Sequence, residues 1–327
     1  VSPQTLARPA VRTDVAPPID PADLAVIAGL GYTREVELLR EHILTWIIEA
    51  SDEMQPQLRW QFFARSKYFR PLTVFACHRA MSGEDVSTAL VRRAMAIELF
   101  HNVSLIIDDI LDASTHRRGV LTLHRRFGSL RALMASGYIV GCGFKLLSDD
   151  PLGVRLLSEL LSRLGVAECL QWRLRQQPLG VEDWRLIAGE DTGTMFEICA
   201  CIGTRDERLR KFGRLLGMVY HGCDDVGDAR GLAALGGGGD EDVRDGILTL
   251  PAAFAIRDSR IRRLFCKDKR KPAELNEIAR AIQRRVPEAE AYLDQIAHQA
   301  REEAVLRARH PDSLLALVDY TRQLSHR

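Results

Sequence analysis

Between His101 and Gly128 the chain reads HNVSLIIDDILDASTHRRGVLTLHRRFG, a stretch in which Asp108, Asp109 and Asp112 stand among apolar residues with Arg117 and Arg118 close behind. On a helix, Asp108 and Asp112 lie one above the other and Asp109 sits roughly 100° round from them. Two unit charges about 6 Å apart repel by roughly 3 kcal/mol at an effective dielectric near 20, so three acids crowded on one rim require a counter-ion. A softer metal would bring Cys or His ligands. An all-carboxylate rim beside arginines suits Mg²⁺, bound jointly by the protein and a phosphate-bearing ligand. The plain alternative is a solvated acidic helix end. Leu105, Ile106 and Ile107 before the acids and the arginine pair after them weigh against it.

Asp224, Asp225 and Asp228 repeat the spacing about 116 positions later. Two such rims at the ends of two helices, facing each other across a bundle, would grip several Mg²⁺ ions around one diphosphate. A single DDxxD is a weak signal, and two in one helical chain are a much stronger one.

The elements that must position these acids read as helices nearly throughout from Pro21 onward, with few alternating β-branched runs. Glu35 to Ala50 carries a stripe of Val36, Leu39, Ile43, Ile47 and Ile48, followed by a short loop near Asp52 to Pro56. Arg59 to Ala80 is expected to break at Pro71, and Met81 to Asp85 forms a turn before the helix Val86 to Asp112 that delivers the first acids. Counting back from Asp108, Ser104 lies one turn below and His101 two turns below. Further helices are expected over 129–148, 151–175, 181–203 and Asp206 to Asp228. The glycine-rich, acidic stretch Ala229 to Gly246 reads as a mobile loop. Thr249 to Asp258 resumes a helix with Pro251 in its first turn, and Pro272 to Leu324 supplies charged scaffold helices.

With 327 residues, 46% of them hydrophobic, the chain can bury a sizeable single core; residues 1–20, with four prolines, read as a disordered leader before one domain over 21–327. A net charge of +1 argues against a nucleic-acid partner held by charge, and no apolar run is long enough for a membrane span. Seven cysteines without a CxxC pair read as small buried hydrophobes in a reducing compartment, so the cytoplasm is the expected location.

At this level the chain resembles the trans-isoprenyl diphosphate synthases, the polyprenyl synthetase family. The first acid cluster with its RRG is similar to that family's first aspartate-rich motif. The second, preceded by Leu216-Gly217 and by Tyr220-His221 where the family commonly has Phe-Gln, resembles the other. ARSKYFRP at 64–71 is similar to the family's GGKxxRP, with Lys67, Arg70 and Pro71 kept, and Glu168 and Gln171 match its GExxQ. The resemblance implies an all-α, isoprenoid synthase-type helical bundle around a central cavity, acting as a homodimer. It implies a Mg²⁺-dependent condensation of isopentenyl diphosphate with an allylic prenyl diphosphate. Lys67, Arg70, His101 and Arg118 would hold the first substrate and Arg117 the allylic diphosphate, with Gln171 and Thr192 also lining the site. Val103 and Ser104, both small, would leave the pocket below the first acids open to products of about C20 or longer.

The departures fall on the allylic side. The family usually has a lysine where this chain has Asp191, and another where it has Ile247; no lysine occurs between Lys211 and Lys267. The family's Gly-Asp before its third helical stretch appears as Ser136-Gly137. Three readings follow: a chain-elongating synthase with an altered allylic site, a terpene synthase of the same fold that ionises a finished prenyl diphosphate, and a non-catalytic partner subunit. Lys67, Arg70 and Arg118 speak against the second, and six retained aspartates against the third.

Overall fold

The structure, a computed structural model, describes residues 19–62, 66–117, 119–231 and 239–326, with the side chains of 239–241 left aside. The leader expected over 1–20 therefore lies almost wholly outside the described residues; Asp20 caps the first helix by accepting from the Ala22 N–H. The helices α1 (Pro21–Gly29), α2 (Thr33–Glu49) and α3 (Gln55–Phe62) form one flank. Val36, Leu39, Ile43 and Ile47 of α2 are buried, but Ile48 is exposed, because it lies a third of a turn beyond that stripe.

The break expected at Pro71 comes earlier. Residues 66–68 are non-helical, with Tyr68 at φ 56° turning the chain into α4 (Phe69–Ser82), and Pro71 sits in the first turn of α4, where its missing N–H costs no hydrogen bond. The central element is α5 (Thr88–Leu111), capped by the Ser87 side chain on the Leu90 N–H and buried along most of its length. It ends at the acids: Asp112 is its C-cap and Ala113 takes the left-handed conformation at φ 52°. A two-stranded antiparallel hairpin follows, β1 (His116–Arg117) and β2 (Val120–Leu121), pairing His116 with Leu121 and Arg117 with Val120. It folds Arg117 back toward the end of α5.

Next come α6 (Leu123–Phe127), α7 (Ser129–Leu146) and α8 (Pro151–Leu174). The segment expected as one helix over 181–203 is two, α9 (Val181–Glu190) and α10 (Thr192–Thr204), parted at Asp191, whose ψ of −102° leaves the helical region. α11 (Arg210–Ala229) starts four residues later than expected and packs on α10. Their approach depends on glycine: a Cβ at Gly213 would lie 2.5 Å from the Phe196 carbonyl oxygen, and one at Gly217 would lie 2.7 Å from the Gly193 Cα. That closeness sets the second acid motif beside the α9–α10 break.

The expected mobile loop over 229–246 is in part ordered as α12 (Gly239–Asp245); residues 232–238 lie outside the described set. The helix expected over Thr249 to Asp258 is the shorter α13 (Leu250–Ala255), with Thr249 as its cap and Pro251 in the first turn as expected. α14 (Ser259–Phe265), α15 (Pro272–Gln283), α16 (Val286–Arg307) and α17 (Asp312–Arg322) complete the scaffold, with α16 laid along α11. Among the cysteines Cys169 is exposed, against the expectation of a buried hydrophobe, while Cys77, Cys199, Cys201 and Cys223 are buried. No helix among the described residues is long and apolar enough to cross a membrane.

Candidate active site

Both acid motifs sit at helix C-termini, where the unpaired carbonyl ends carry partial negative charge and carboxylates are least welcome. In each motif the middle acid is taken up by protein donors. Asp109 is buried and accepts from Arg117 Nε at 2.7 Å. Asp225 Oδ2 accepts from Trp184 Nε1 at 2.7 Å and from the Leu250 N–H at 2.8 Å. The three acids of the first motif therefore do not form one even rim: Asp109 turns to the hairpin, and Asp108 and Asp112 share the remaining face.

The electrostatics join the two motifs. Burial pushes the Asp108 carboxyl well above the usual range, and the carboxylates of Glu168, Asp191 and Asp112 push it further. Burial, then Asp225, lifts Asp224 to about 6, against the pull of His221, Lys67 and Arg117. Glu168 on α8 is lifted to about 7 by burial and by Asp191 and Asp112. Burial disfavours the Arg117 cation, yet Asp109, Asp108 and Asp224 together hold it charged. One guanidinium thus feels both motifs.

At the α9–α10 break, Thr192 Oγ1 lies 2.9 Å from His221 Nδ1, and Asp191 Oδ2 lies 3.3 Å from the same nitrogen. His221 Nε2 is 3.8 Å from Asp225 Oδ1. Burial works against a charged ring there, but Asp225 and Asp191 outweigh it and raise His221 to about 9. The two carboxylates thus favour the protonated ring.

On the other flank, Arg70 Nη1 meets His101 Nε2 at 3.0 Å, and the guanidinium packs against the touching rings of Phe196 and Tyr220, 5.5 and 5.7 Å from their centroids. Lys67 is half-buried and acts on Asp224. Val103 is buried; Ser104 is half-buried and donates its hydroxyl to the His101 carbonyl at 2.9 Å. Gln171 is half-buried one turn beyond Glu168 on α8. Arg118 lies outside the described residues.

Among the described residues no three His, Cys, Asp or Glu side chains converge closely enough to hold a metal ion by themselves. The donor set nevertheless fits a hard divalent cation, since Asp108 and Asp224 are carboxylates kept reluctant to ionise by burial and like charge. Such a cation would complete its coordination from an anionic ligand lying between the motifs.

Residues 53–283 match the Polyprenyl synthetase family model. The chain belongs to the polyprenyl synthetase family. It is 30% identical over 319 residues to a nonaprenyl diphosphate synthase of Mycobacterium tuberculosis, covering 91% of this chain and 92% of that one. It is 27% identical over 226 residues to geranylgeranyl pyrophosphate synthase 4 of Arabidopsis thaliana, covering 62% of this chain and 60% of the plant one. In fold it matches heptaprenyl diphosphate synthase of Staphylococcus aureus with a TM-score of 0.80 at 20% identity, over 90% of this chain and 98% of that one. A polyprenyl synthase of Caulobacter crescentus, solved with calcium and isoprenyl diphosphate, matches with a TM-score of 0.79 at 20% identity, over 92% and 96% of the two chains. The all-α isoprenoid synthase fold and membership among the trans-prenyltransferases stand on these matches.

Within this polyprenyl synthetase, two groups escape motif reading. Asp242 of α12 adds a further acid: burial, then Asp225, Asp228, Asp224 and Asp112, push its carboxyl well above the usual range. In the sequence it was one acid among several in a glycine-rich stretch. Arg175, just past α8, donates to Asp112 Oδ1 at 2.9 Å and stacks on Trp172 with 3.9 Å from guanidinium carbon to ring centroid. Nothing in its local sequence marks it out; only the fold brings it to the acids.

Proposed function

We propose that the chain condenses isopentenyl diphosphate with an allylic prenyl diphosphate to give a longer prenyl diphosphate of about C20 or more. The observation that carries this reading is the electrostatic union of the two acid motifs around Arg117, which Asp108, Asp109 and Asp224 all keep charged. A site built this way attracts a polyanion together with its counter-ions and suits little else.

Asp108 and Asp112 on one side and Asp224 and Asp228 on the other would hold Mg²⁺. When bound, that ion supplies charge neutralisation for the diphosphate and lowers the cost of its departure. The chain's own residues do the rest. Arg117 faces the allylic diphosphate, with Gln171 and Thr192 lining the same side. Lys67, Arg70, His101 and Arg118 hold isopentenyl diphosphate, with Arg70 kept in place by Phe196 and Tyr220. Held so, the allylic carbon–oxygen bond breaks with both electrons leaving on diphosphate. The isopentenyl double bond attacks the allylic carbon, and a proton is lost to the departing diphosphate. Burial of the acids strengthens every charge contact at that moment.

The active unit is a homodimer. Leu130, Leu133 and Met134 on α7 and Ile107 and Leu111 on α5 are exposed, and Gly137 and Gly141 continue the α7 face with open space around them. So large an apolar strip fits a second copy of the chain.

The test is an incubation of the purified full chain with Mg²⁺ and farnesyl or geranylgeranyl diphosphate, with and without isopentenyl diphosphate. Longer diphosphates formed only when isopentenyl diphosphate is present support the reading. Hydrocarbons formed without it, or no turnover until a partner chain is added, overturn it.

A further inference from the structure

Arg175 stands apart from the other cations of the site in how it is held. Arg117 pairs with the buried Asp109, whose side chain is 3% exposed, whereas Arg175 pairs with Asp112, whose side chain is 37% exposed. Its second partner, Asp245 of α12, is looser, with Nη1 to Oδ2 at 3.9 Å. The side chain is 14% exposed, its guanidinium carbon lies over the Trp172 ring, and its Nε–H is buried with no acceptor among the described residues.

The backbone beneath it is fixed with equal care. Gln176 takes a left-handed conformation at φ 59°, which a non-glycine residue adopts only under constraint, and its N–H donates to the Gly246 carbonyl at 2.9 Å. A guanidinium so oriented presents a planar fork matched to oxyanion pairs, and carboxylate and phosphate oxygens are interchangeable partners for it. On the same side of the site, positions 191 and 247 carry Asp and Ile, so neither supplies positive charge.

We propose that Arg175 is a specificity-determining contact for the allylic diphosphate: it leaves Asp112 for the diphosphate when substrate arrives, and Asp112 turns to the cation that travels with it. This rests on the reading of function given above. The exchange conserves charge, since one guanidinium–carboxylate pair becomes a guanidinium–phosphate pair and a carboxylate–cation pair.

Arg175→Met keeps the aliphatic bulk and removes the fork; Arg175→Lys keeps the charge; Asp245→Asn weakens the long Arg175 contact to α12 together with the exposed Arg244 pair, and leaves Asp112 untouched. Calorimetric titration of each full-length variant with inorganic pyrophosphate and Mg²⁺ measures binding without turnover. Arg175→Met is expected to weaken pyrophosphate by about tenfold to a hundredfold, the worth of a charge-assisted hydrogen bond. Arg175→Lys recovers part of the loss, and Asp245→Asn binds as wild type. In steady state the KM for the allylic substrate rises in Arg175→Met, while that for isopentenyl diphosphate stays within about twofold. The proposal is overturned if pyrophosphate binds Arg175→Met as it binds wild type, if Asp245→Asn loses as much, or if both KM values rise together. Should wild type condense nothing, the functional reading falls, yet the pyrophosphate titration still decides the role of Arg175.

Discussion

Asp191 Oδ2 and His221 Nδ1 lie 3.3 Å apart, across the break between α9 and α10, and each holds the other's charge. Burial disfavours ionised Asp191, but the hydrogen bond and charge of His221 pull its carboxyl below the usual range. The pair makes the α9–α10 corner electrically neutral where a lone acid beside Asp108 and Glu168 would be repelled. Asp191→Lys alone sets two cations together and is expected to cost about 1–3 kcal/mol, as loss of a partly buried pair does. Adding His221→Gln should return most of it. Denaturant melts of the two singles and the double measure the coupling, and strictly additive effects would refute the pairing.

Stability should fall as pH rises. Asp224 and Glu168, raised to about 6 and 7, keep protons in the folded chain that the unfolded chain has already lost, and His221, raised to about 9, keeps its proton longer than an unfolded histidine. Between about pH 4 and 9 the folded state therefore binds more protons, so the slope of stability with pH is negative across that window. Mg²⁺ requires the ionised carboxylates, so the rise in Tm that it gives should grow from pH 6 to pH 8. Thermal melts in chelator and in Mg²⁺ across this range check both signs.

Much of this was legible in the sequence, because helices declare themselves by period and acids by spacing: the buried stripe of α2, Pro251 in the first turn of α13 and the two DDxxD runs all needed only local information. The division of labour within each motif was not legible. It depends on Trp184 and the Leu250 N–H, which reach Asp225 from distant parts of the chain, and on a hairpin that returns Arg117 to Asp109. The stop at Asp191 and the helix over 239–245 were missed for a related reason, since tertiary contacts override weak local preference there. Arg175 carried no signal at all, being one arginine in a polar turn.

Glu197 is buried in α10 and accepts from Arg163 Nη1 at 2.8 Å, Arg210 Nη1 at 2.6 Å and Arg214 Nη1 at 3.4 Å, so one acid ties α8 to α11. Glu197→Gln leaves three guanidinium groups short of charge and is expected to cost about 3–5 kcal/mol. Arg214 lies ten residues before Asp224, roughly 15 Å along α11. Substrate KM values should therefore stay at wild type in melts-corrected assays, and a selective loss of substrate binding would contradict a purely structural role.

Association through α7 predicts that a charge on its exposed face separates the copies. Leu130 is 74% exposed and touches little of its own chain, so Leu130→Glu should leave the fold intact while shifting the particle from dimer to monomer. Sedimentation of wild type and variant at equal concentration decides it; a wild-type monomer, or a variant dimer of equal strength, tells against this face.

Product length should answer to Ser104. The residue stands one turn below Asp108, roughly 6 Å down the helix axis, on the face that carries the acids. Its hydroxyl is already bonded to the His101 carbonyl, so toward the bundle interior it offers small volume and no free polarity. Ser104→Ala should consequently leave products unchanged, whereas Ser104→Phe puts a ring in the path of a chain descending from the acids. Beneath it, Phe100 is packed edge-on against Phe144 at 5.2 Å and cannot swing aside to make room. The phenylalanine variant should retain the condensation but release shorter diphosphates, read by chromatography of the dephosphorylated products. A long product of wild-type length from Ser104→Phe would mean that the chain grows along another wall of the bundle.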